Sequence, residues 1–405
     1  MSDDFSGVTS SLPSTAATEV EFVSAINTRN TTELDPRPGR GIELDFFTHY
    51  ARAVEDAGFD YTLVPYGSNS PDSFVISAAL SQITERLKAI VAVRPNTDFP
   101  LAAAQKLATI DQLNRGRTIV HLISGGSDAE QARQGDYLSK DDRYARTREF
   151  LQLLRRAWTE EAPFSHDGEY YRFDDFGPGF PTYSGESLPI SIGGQSDPAF
   201  QIGGELADVF SFWGEPLSEI RAQIDRIDRI AAAAGRADRP RFWVTFRPII
   251  APTEEQAWEK AHRYVDVIAE TYRSSAFREP RDPVGSAPQN VGSQRALDFA
   301  AKSDIYDRAL WTKTAAATNA GGASTALVGT PETVAAAILD YIDLGASIVS
   351  IRGYDNLNDV VDYGRYILPL VKQELAHRKA TGQRGTLQAT HLGAFAPEFE
   401  LAGAR

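Results

Sequence analysis

Residues 190–197, which read Ile-Ser-Ile-Gly-Gly-Gln-Ser-Asp, set two glycines and a hydroxyl between an apolar run and the start of a helical stretch. Glycine lets a ligand approach the backbone N–H closely, and a helix N-terminus attracts negative charge. The segment therefore suits a phosphate, with Gly193 and Gly194 contributing backbone amides and Ser196 its hydroxyl. A plain tight turn between a strand and a helix has the same features, so both interpretations stay open.

A second segment, Lys140-Asp-Asp-Arg-Tyr144, could bring phosphate-binding side chains from another part of the chain. Lys140 and Arg143 offer positive charge, and Tyr144 offers a hydroxyl. A solvated, charged first turn of a helix explains the same residues without any ligand.

Three more side chains could carry chemistry. His121 interrupts an apolar strand pattern, and is either a hydrogen-bonded core histidine or a donor to the edge of a planar cofactor. Arg94 either pairs with a carboxylate of a neighbouring loop or binds a ligand. If Phe246 faces outward from its strand, Arg247 faces inward. A buried arginine without a counter-ion is costly, which favours an anionic ligand at Arg247.

Eight short and nearly continuous apolar runs, most of them followed by amphipathic helical patterns, must position these side chains. The runs span residues 20–26, 61–65, 88–93, 117–123, 188–192, 207–213, 241–251 and 346–353. Strands that are apolar on both faces are typical of a parallel sheet covered by helices. We therefore predict an α/β fold, a (β/α)8 TIM barrel with insertions, and keep a doubly wound open sheet as the alternative.

The barrel accounts for most of the chain as a single domain. It is predicted to span residues 20–376, with insertions near 164–187 and 273–325, the second of which is interpreted as a lid. Residues 1–19 are polar and small, and are predicted to form a flexible N-terminal arm. Residues 377–405 are predicted to be a C-terminal extension.

Composition excludes several classes of function. The net charge of -14 argues against a nucleic-acid partner. The chain has no cysteines, and its six histidines show no metal-binding spacing, so no metal site is predicted. No stretch has the length of a membrane span or the pattern of a signal peptide, and a cytoplasmic protein without a membrane partner is expected.

The ends of the strands indicate the kind of chemistry, because a TIM barrel builds its active site from the loops that follow them. No carboxylate pair and no Ser-His-Asp order occurs there, which argues against glycosidase and acyl-transfer chemistry. Amides, hydroxyls, aromatics and arginines occur instead. Such a site suits a bulky planar or phosphorylated cofactor that supplies the reactivity.

Several segments resemble the bacterial luciferase-like flavin-dependent monooxygenases, and within them the FMNH2-dependent alkanesulfonate monooxygenases. The resemblance extends over about residues 20–375 and implies a (β/α)8 barrel with insertions. The segments that carry it are 85–95 (ERLKAIVAVRP), 102–117 (AAAQKLATIDQLNRGR), 121–128 (HLISGGSD), 141–158 (DDRYARTREFLQLLRRAW), 191–197 (SIGGQSD), 212–216 (FWGEP), 321–335 (GGASTALVGTPETVA), 353–357 (GYDNL) and 364–371 (GRYILPLV).

The resemblance implies a two-component monooxygenase that uses FMN. A separate NAD(P)H:flavin reductase would supply FMNH2, O2 would be the co-substrate, and a flavin (hydro)peroxide would attack a small organic substrate. For an alkanesulfonate or related organosulfur compound, C–S cleavage would release sulfite and an aldehyde. A homodimer or homotetramer is expected. Two alternatives stay open: a coenzyme F420-dependent oxidoreductase of the same superfamily, and a non-catalytic flavin-binding relative.

The resemblance also implies roles for individual residues. Those matched to the FMN phosphate or the isoalloxazine ring are Tyr66, Arg94, His121, Lys140, Tyr144, Gly193, Gly194 and Ser196. Those assigned to catalysis are Asn27, His121, Arg247 and Tyr354.

The chain departs from the sulfonate branch at the positions expected to hold the substrate. Asn27 replaces a histidine, Ser70 replaces a cysteine, and Ala320 replaces an arginine. An Arg-x-His pair becomes Thr245-Phe246-Arg247, so that Arg247 is left to supply the positive charge. Another small organosulfur or organic substrate therefore stays open beside an alkanesulfonate.

Overall fold

A closed barrel of parallel strands forms the centre of the protein. The structure, a computed structural model, describes residues 17–39, 41–274, 287–322 and 325–388. The strands are β1 (Glu21–Ala25), β2 (Tyr61–Val64), β3 (Lys88–Val93), β4 (Thr118–Leu122), β5 (Phe164–Asp167), β6 (Arg172–Phe176), β7 (Ile190–Gly193), β8 (Val209–Trp213), β9 (Arg241–Ile250), β10 (Ile305–Tyr306), β11 (Leu310–Trp311), β12 (Ala326–Gly329) and β13 (Ala346–Ile351).

Eight of these strands pair in the order β1-β2-β3-β4-β7-β8-β9-β13, and β13 pairs again with β1. Every pairing around this ring is parallel. These are the eight runs predicted from the sequence, and their closure confirms the (β/α)8 TIM barrel over the open sheet.

Helices surround the barrel, as parallel connections require. They are α1 (Leu44–Asp56), α2 (Ser73–Ile83), α3 (Pro100–Asn114), α4 (Asp128–Ala132), α5 (Lys140–Thr159), α6 (Asp197–Leu206), α7 (Leu217–Ala233), α8 (Glu254–Arg273), α9 (Val291–Lys302), α10 (Lys313–Ala317), α11 (Pro331–Asp343), α12 (Asn356–Asp362) and α13 (Leu368–Thr381), with a π-helical turn at Tyr363–Ile367. No helix in the described ranges is long and apolar enough to cross a membrane.

Both predicted insertions contain structure of their own. Residues 164–187 include the antiparallel hairpin of β5 and β6. Residues 273–325 contain α9, β10, β11 and α10, and β11 joins the barrel through β12, which runs parallel to the outer half of β9. Residues 275–286 and 323–324 of the predicted lid lie outside the described residues, as do residues 1–16 of the predicted arm and 389–405 of the predicted extension.

Alternation along the strands separates two apolar layers. Outward residues such as Phe22 and Phe246 join the core between barrel and helices, and Phe246 contacts Tyr341 of α11 with ring centroids 4.6 Å apart. The outward direction expected for Phe246 is therefore confirmed. The inward residues that fill the lower barrel are Val23, Tyr61, Ile90, Ile119, Val209, Trp243 and Ile348.

Above this inner layer the barrel opens. Near the carboxyl ends of otherwise buried strands, several inward positions are partly accessible to solvent. They are Ala25, His121, Gly193, Ser211, Trp213 and Thr245. This accessible region, called the mouth below, lies at the end of the barrel where TIM-barrel active sites are built.

Candidate active site

A cavity of about 250 Å³ lies where the loops after β4 and β7 meet the start of α5. Four residues predicted to bind a phosphate line it: Lys140, Tyr144, Gly194 and Ser196. Its other lining residues are Gly125, Gly126, Asp128, Arg143, Gln195, Gln289, Asn290 and Val291. The cavity brings the two predicted segments together from positions about fifty residues apart in the chain, and is called the phosphate pocket below after the ligand that the sequence predicts for it.

Polar groups in the phosphate pocket are left without partners. The Ser196 hydroxyl is buried, lies beside the Tyr144 hydroxyl without a well-aligned hydrogen bond, and does not cap α6 although Ser196 is the N-cap residue. Burial raises the pKa of Tyr144, and the adjacent Ser196 hydroxyl acts in the opposite direction. Among the described residues, no carboxylate forms an ion pair with Lys140, the first residue of α5. A buried hydroxyl and an unpaired ammonium group both gain from an anion.

Gly194 creates the space that an anion needs. Its φ angle is +137°, a value that residues with side chains rarely adopt. A Cβ atom there would lie 2.9 Å from the Tyr144 hydroxyl and 2.9 Å from the Ala199 Cβ. The glycine, the orphan hydroxyl and the unpaired lysine together fit a phosphate group.

Arg143, one of the three candidates in the segment from Lys140 to Tyr144, lies in the wall of the pocket. Its side chain is 3% exposed, lies 2.9 Å from the Asp128 carboxylate, and donates to the Leu138 carbonyl at 2.7 Å. The Arg143 Nε has no partner. Its charge is therefore partly offset by Asp128, unlike that of Lys140.

The insertion also contributes to the pocket, which the sequence did not indicate. Asn290, the N-cap of α9, lines the cavity, and the Gln289 side chain accepts a hydrogen bond from the Asp128 backbone at 2.8 Å. The buried Glu215 after β8 accepts from Arg295 of α9 at 2.9 and 2.6 Å, and also from the Gln195 amide. Glu215 thereby joins α9 to the glycine loop of the pocket.

His121 reaches the mouth from β4. Its Nδ1 lies 3.0 Å from the Ser191 hydroxyl, and its ring centroid is 5.4 Å from that of Trp243 below. Burial lowers the pKa of His121 to about 4, so the imidazole is neutral at pH 7. The side chain is hydrogen-bonded and still partly accessible, so it can present Nε2 to a ligand.

Arg94 and Tyr66 lie together after β3 and β2. Arg94 Nη1 is 2.9 Å from Glu130 and donates to the Gln134 side-chain oxygen at 3.0 Å. The guanidinium lies 5.1 Å from the Tyr66 ring centroid, and Gln134 donates to the Tyr66 hydroxyl. The ion-pair interpretation of Arg94 is therefore realised, and its positive charge is balanced by Glu130.

Arg247 also has a carboxylate partner. It is 3% exposed, and its two terminal nitrogens donate to the two Glu33 oxygens at 2.7 and 3.1 Å. One of these nitrogens also donates to the Gly353 carbonyl at 2.8 Å. Burial opposes ionisation of Glu33, but the charge and hydrogen bonds of Arg247 hold the pKa of Glu33 at about 2. The anion that the sequence suggested for Arg247 is thus supplied by the chain itself.

Tyr354 supports Arg247 rather than lining the mouth. The Arg247 guanidinium stacks 3.7 Å from the Tyr354 ring centroid, and the Tyr264 ring lies edge-on at 5.5 Å. Tyr354 is 1% exposed, and burial raises its pKa while the nearby Thr314 hydroxyl acts in the opposite direction.

Of the remaining sequence candidates, Asn27, Ser70 and Ala320 lie on loops and Thr245 lies on β9. The Asn27 amide donates to the Asn356 side-chain oxygen at 2.8 Å, so it links the loop after β1 to the start of α12. The Ser70 hydroxyl accepts from the Gly67 backbone at 2.8 Å within its own loop. Ala320 is buried, whereas Thr245 faces the mouth.

These groups occupy two opposite sides of the mouth. The phosphate pocket lies beyond β4 and β7, whereas Arg247 lies on β9 and Glu33 lies in the loop after β1, and these two strands flank β13. In the ring order, β4 and β13 are four strands apart in either direction. A ligand anchored in the phosphate pocket could extend past His121 toward the β13 side. No group of three or more possible metal ligands occurs in the parts of the chain that the structure describes.

Solved structures with the same fold include enzymes of several activities. A riboflavin lyase (RcaE), solved with modified FMN and its substrate riboflavin, is 21% identical with a TM-score of 0.69, over 92% of this chain and 94% of that chain. EDTA monooxygenase (EmoA) from Chelativorans sp. BNC1 is 17% identical with a TM-score of 0.71, over 93% and 96%. Coenzyme F420-dependent tetrahydromethanopterin reductase from Methanopyrus kandleri is 18% identical with a TM-score of 0.62, over 87% and 99%.

The family assignment rests on the sequence of the barrel itself. The family model for the luciferase-like monooxygenases matches residues 20–347, which include seven of the eight barrel strands and the whole phosphate pocket. The match agrees with the closed barrel and with the position of the pocket at its mouth. The chain is a member of the luciferase-like monooxygenase family.

Proposed function

We propose that this protein is an FMN-dependent monooxygenase that takes FMNH2 from a separate NAD(P)H:flavin reductase and uses O2 as co-substrate. The observation that carries the proposal is the phosphate pocket, where the Ser196 hydroxyl is buried without a well-aligned hydrogen bond and Lys140 has no ion pair with any described residue. A phosphate held there would direct the rest of a flavin toward the mouth. The protein then needs to bind and orient the flavin and needs no reactive side chain of its own, because the flavin supplies the reactivity.

The chain's own residues would then bind and orient. Lys140 and Ser196 hold the phosphate, and Gly194 leaves room for it. Reduced FMN would supply the electrons that activate O2. If the Ser191 hydroxyl donates to His121 Nδ1, His121 carries its proton on Nε2 and can donate it as a hydrogen bond into the mouth. The neutral imidazole adds no charge there at pH 7.

We also propose a small organic substrate, with an alkanesulfonate or related organosulfur compound as the leading class. C–S cleavage would then release sulfite and an aldehyde. The support is the cationic character of the β13 side of the mouth, where Arg247 and Arg352 face one carboxylate, Glu33. Assembly as a homodimer or homotetramer is part of the same proposal.

The coenzyme F420-dependent oxidoreductase is the second candidate, because a reductase of that type shares the fold. Anaerobic titration of the full chain with FMNH2 and with reduced F420 separates the two. We expect saturable binding of FMNH2; tight binding of F420 alone would overturn the proposal.

Turnover then tests the chemistry. The chain is incubated with FMN, NADH, a flavin reductase and O2, and sulfite release is measured over a panel of linear alkanesulfonates. Release of sulfite supports the sulfonate class. Oxygen-dependent product from another substrate only would move the substrate class, and flavin binding without any product would favour a non-catalytic relative.

A further inference from the structure

We propose that Arg352 binds an oxyanion of the substrate and so makes an anionic headgroup a requirement of this site. The inference rests on the proposed function in one respect, that the mouth of the barrel binds the substrate. It assigns the recognition of charge to a residue that the sequence did not single out, and it excludes Arg247 from that role.

The pairing of β13 directs Arg352 into the barrel. Ile348 belongs to the inner apolar layer, and positions two apart face the same side of a strand. The Arg352 backbone N–H donates to the Phe246 carbonyl at 3.3 Å, so the pairing with β9 continues one residue beyond the last residue of β13. Ser350 and then Arg352 therefore point inward, at the level where the mouth begins.

Arg352 differs from the other arginines of the mouth because it lacks a carboxylate of its own. Arg94 pairs with Glu130 and Arg247 pairs with Glu33, each at hydrogen-bonding distance. Within the described ranges, no carboxylate lies within ion-pair distance of Arg352. Glu33 attracts it from farther away, but both Glu33 oxygens are already bound by Arg247.

Among the three side chains Arg247, Arg352 and Glu33, one positive charge is in excess. Arg247 and Arg352 carry two positive charges, and Glu33 carries one negative charge because its pKa is held at about 2. Burial and the charge of Arg247 both lower the pKa of Arg352. An arriving oxyanion would remove the repulsion between the two arginines as well as pair with Arg352.

Small neighbours leave the guanidinium accessible. Val23 of β1 lies opposite Ser350 of β13, and the same register continued by two residues sets the partly accessible Ala25 beside Arg352. On the other side, Arg352 Nη2 lies 3.8 Å from the position that a Cβ of Gly322 would occupy. A guanidinium presents its donors in a planar fork that matches two oxygens of a sulfonate, carboxylate or phosphate.

The test compares anionic probes with a neutral one on the full chain. Binding of octane-1-sulfonate, octanoate, octyl phosphate and the neutral methyl octyl sulfone is measured by calorimetry, without flavin and again with FMN present. We expect the wild type to bind at least one anion, and Arg352→Met to weaken that binding by about tenfold to a hundredfold. Methyl octyl sulfone should bind both proteins equally, and Arg352→Lys should recover part of the loss.

Matched controls keep the result interpretable. Arg86→Met removes an arginine whose side chain is 68% exposed and should leave every probe unchanged. Thermal unfolding checks that each variant is folded, and Arg352→Gln replaces Arg352→Met if the latter is not. Equal anion binding by the wild type and the folded variant, or no anion binding by the wild type, would overturn the inference.

The outcome is distinguishable from that of the proposed function. Loss of anion binding in Arg352→Met, in a protein that shows no FMNH2-dependent turnover, keeps the oxyanion site and removes the monooxygenase proposal. If the wild type and Arg352→Met both turn over a neutral and an anionic substrate equally well with FMNH2, the monooxygenase proposal is kept and the oxyanion site is removed.

Discussion

The two sides of the barrel mouth differ in whether a cationic side chain has a carboxylate partner. On the β4 and β7 side, Lys140 has no ion pair with a described residue and the buried Ser196 hydroxyl makes no well-aligned hydrogen bond. On the β9 and β13 side, Arg247 is bound through both terminal nitrogens by Glu33. Both sides contain buried polar groups, since Ser196 is 8% and Arg247 3% exposed, and on the first side Arg143 is itself paired with Asp128. What distinguishes an anion-binding group is whether the chain already supplies the anion.

Arg352 shows that this distinction applies within one side as well. It lies next to Arg247 in the register of β13 and β9, yet only Arg247 has a bidentate carboxylate. Arg94 follows β3, which is adjacent to β4 on the side of the phosphate pocket, and yet it is paired with Glu130. Position around the ring therefore does not decide which arginines bind ligands, and the following changes test the contrast between paired and unpaired groups.

The largest effect is expected from Glu33→Gln, which leaves Arg247 buried without a counter-charge. Breaking a buried ion pair by removing one partner costs about 3–5 kcal/mol of the free energy of unfolding. Urea denaturation at pH 7 measures it. Glu161→Gln, at an exposed position, is the control and should change stability little. A loss as small as that of the control would show that the pair does not stabilise the fold.

The ion pair of Glu33 with Arg247 also predicts that the free energy of unfolding decreases at acidic pH. The pKa of Glu33 is about 2 in the folded chain against 4.5 as the ordinary value, so its contribution is fully present above about pH 4.5. That contribution is lost as the pH falls through about 2. Urea denaturation at several pH values should therefore show a smaller acid-side decline in Glu33→Gln than in the wild type, and parallel declines would contradict it.

The second largest effect is expected from Gly194→Val, which should weaken FMN binding in the phosphate pocket. The Cβ would lie 2.9 Å from Tyr144 and from Ala199 in a backbone conformation that costs about 1–3 kcal/mol for such a residue. We expect FMN affinity to fall by about a hundredfold, measured by equilibrium titration. Gly41→Ala, where no atom lies within 4 Å of the added Cβ, should bind FMN normally.

Ser196→Ala and Lys140→Met are expected to have smaller and more selective effects. Each removes one contact to the phosphate, worth about tenfold in affinity for FMNH2, and leaves the groups around the flavin ring in place. Steady-state kinetics should show a raised KM for FMNH2 with kcat little changed. Ser184→Ala, in the exposed loop before β7, serves as the control. A fall in kcat at unchanged KM would place these side chains near the chemistry instead.

The smallest effect is expected for the protonation of His121, which lies between the two sides of the mouth. The pKa of His121 is about 4 against an ordinary 6.5, so NMR titration of the imidazole should show a neutral ring throughout pH 5–8, with the His121→Gln spectrum providing the assignment. Because the unfolded chain takes up this proton first, stability should decline as the pH falls from about 6.5 to about 4. Titration of His121 near 6.5 would show that it is not buried as described.

Local pattern predicted the barrel and half of the site. Each barrel strand is apolar on both faces, so its sequence alone indicates a strand covered on both sides. Gly194, Ser196, Lys140 and Tyr144 could be predicted as candidates because each stands at the end of a strand or the start of a helix, and the structure places all four around one cavity.

Contacts between distant elements were not predictable in the same way. Glu33 and Arg247 are separated by 214 positions, and Glu215 and Arg295 by 80. No periodicity relates such residues, because their meeting depends on how the closed barrel brings the loop after β1 to β9, and the loop after β8 to α9. The burial of the Tyr354 hydroxyl likewise depends on α8 and α10 packing over it.

The amino-acid sequence by itself indicated the strands, their parallel arrangement and the glycine and hydroxyl groups that suit a phosphate, since these follow from local apolar pattern and backbone chemistry. Only the tertiary structure decided which positive charges are already neutralised. An ion pair forms or fails according to distances of a few ångströms between loops far apart in the chain, and this is what separates Arg247, held by Glu33, from Lys140 and Arg352.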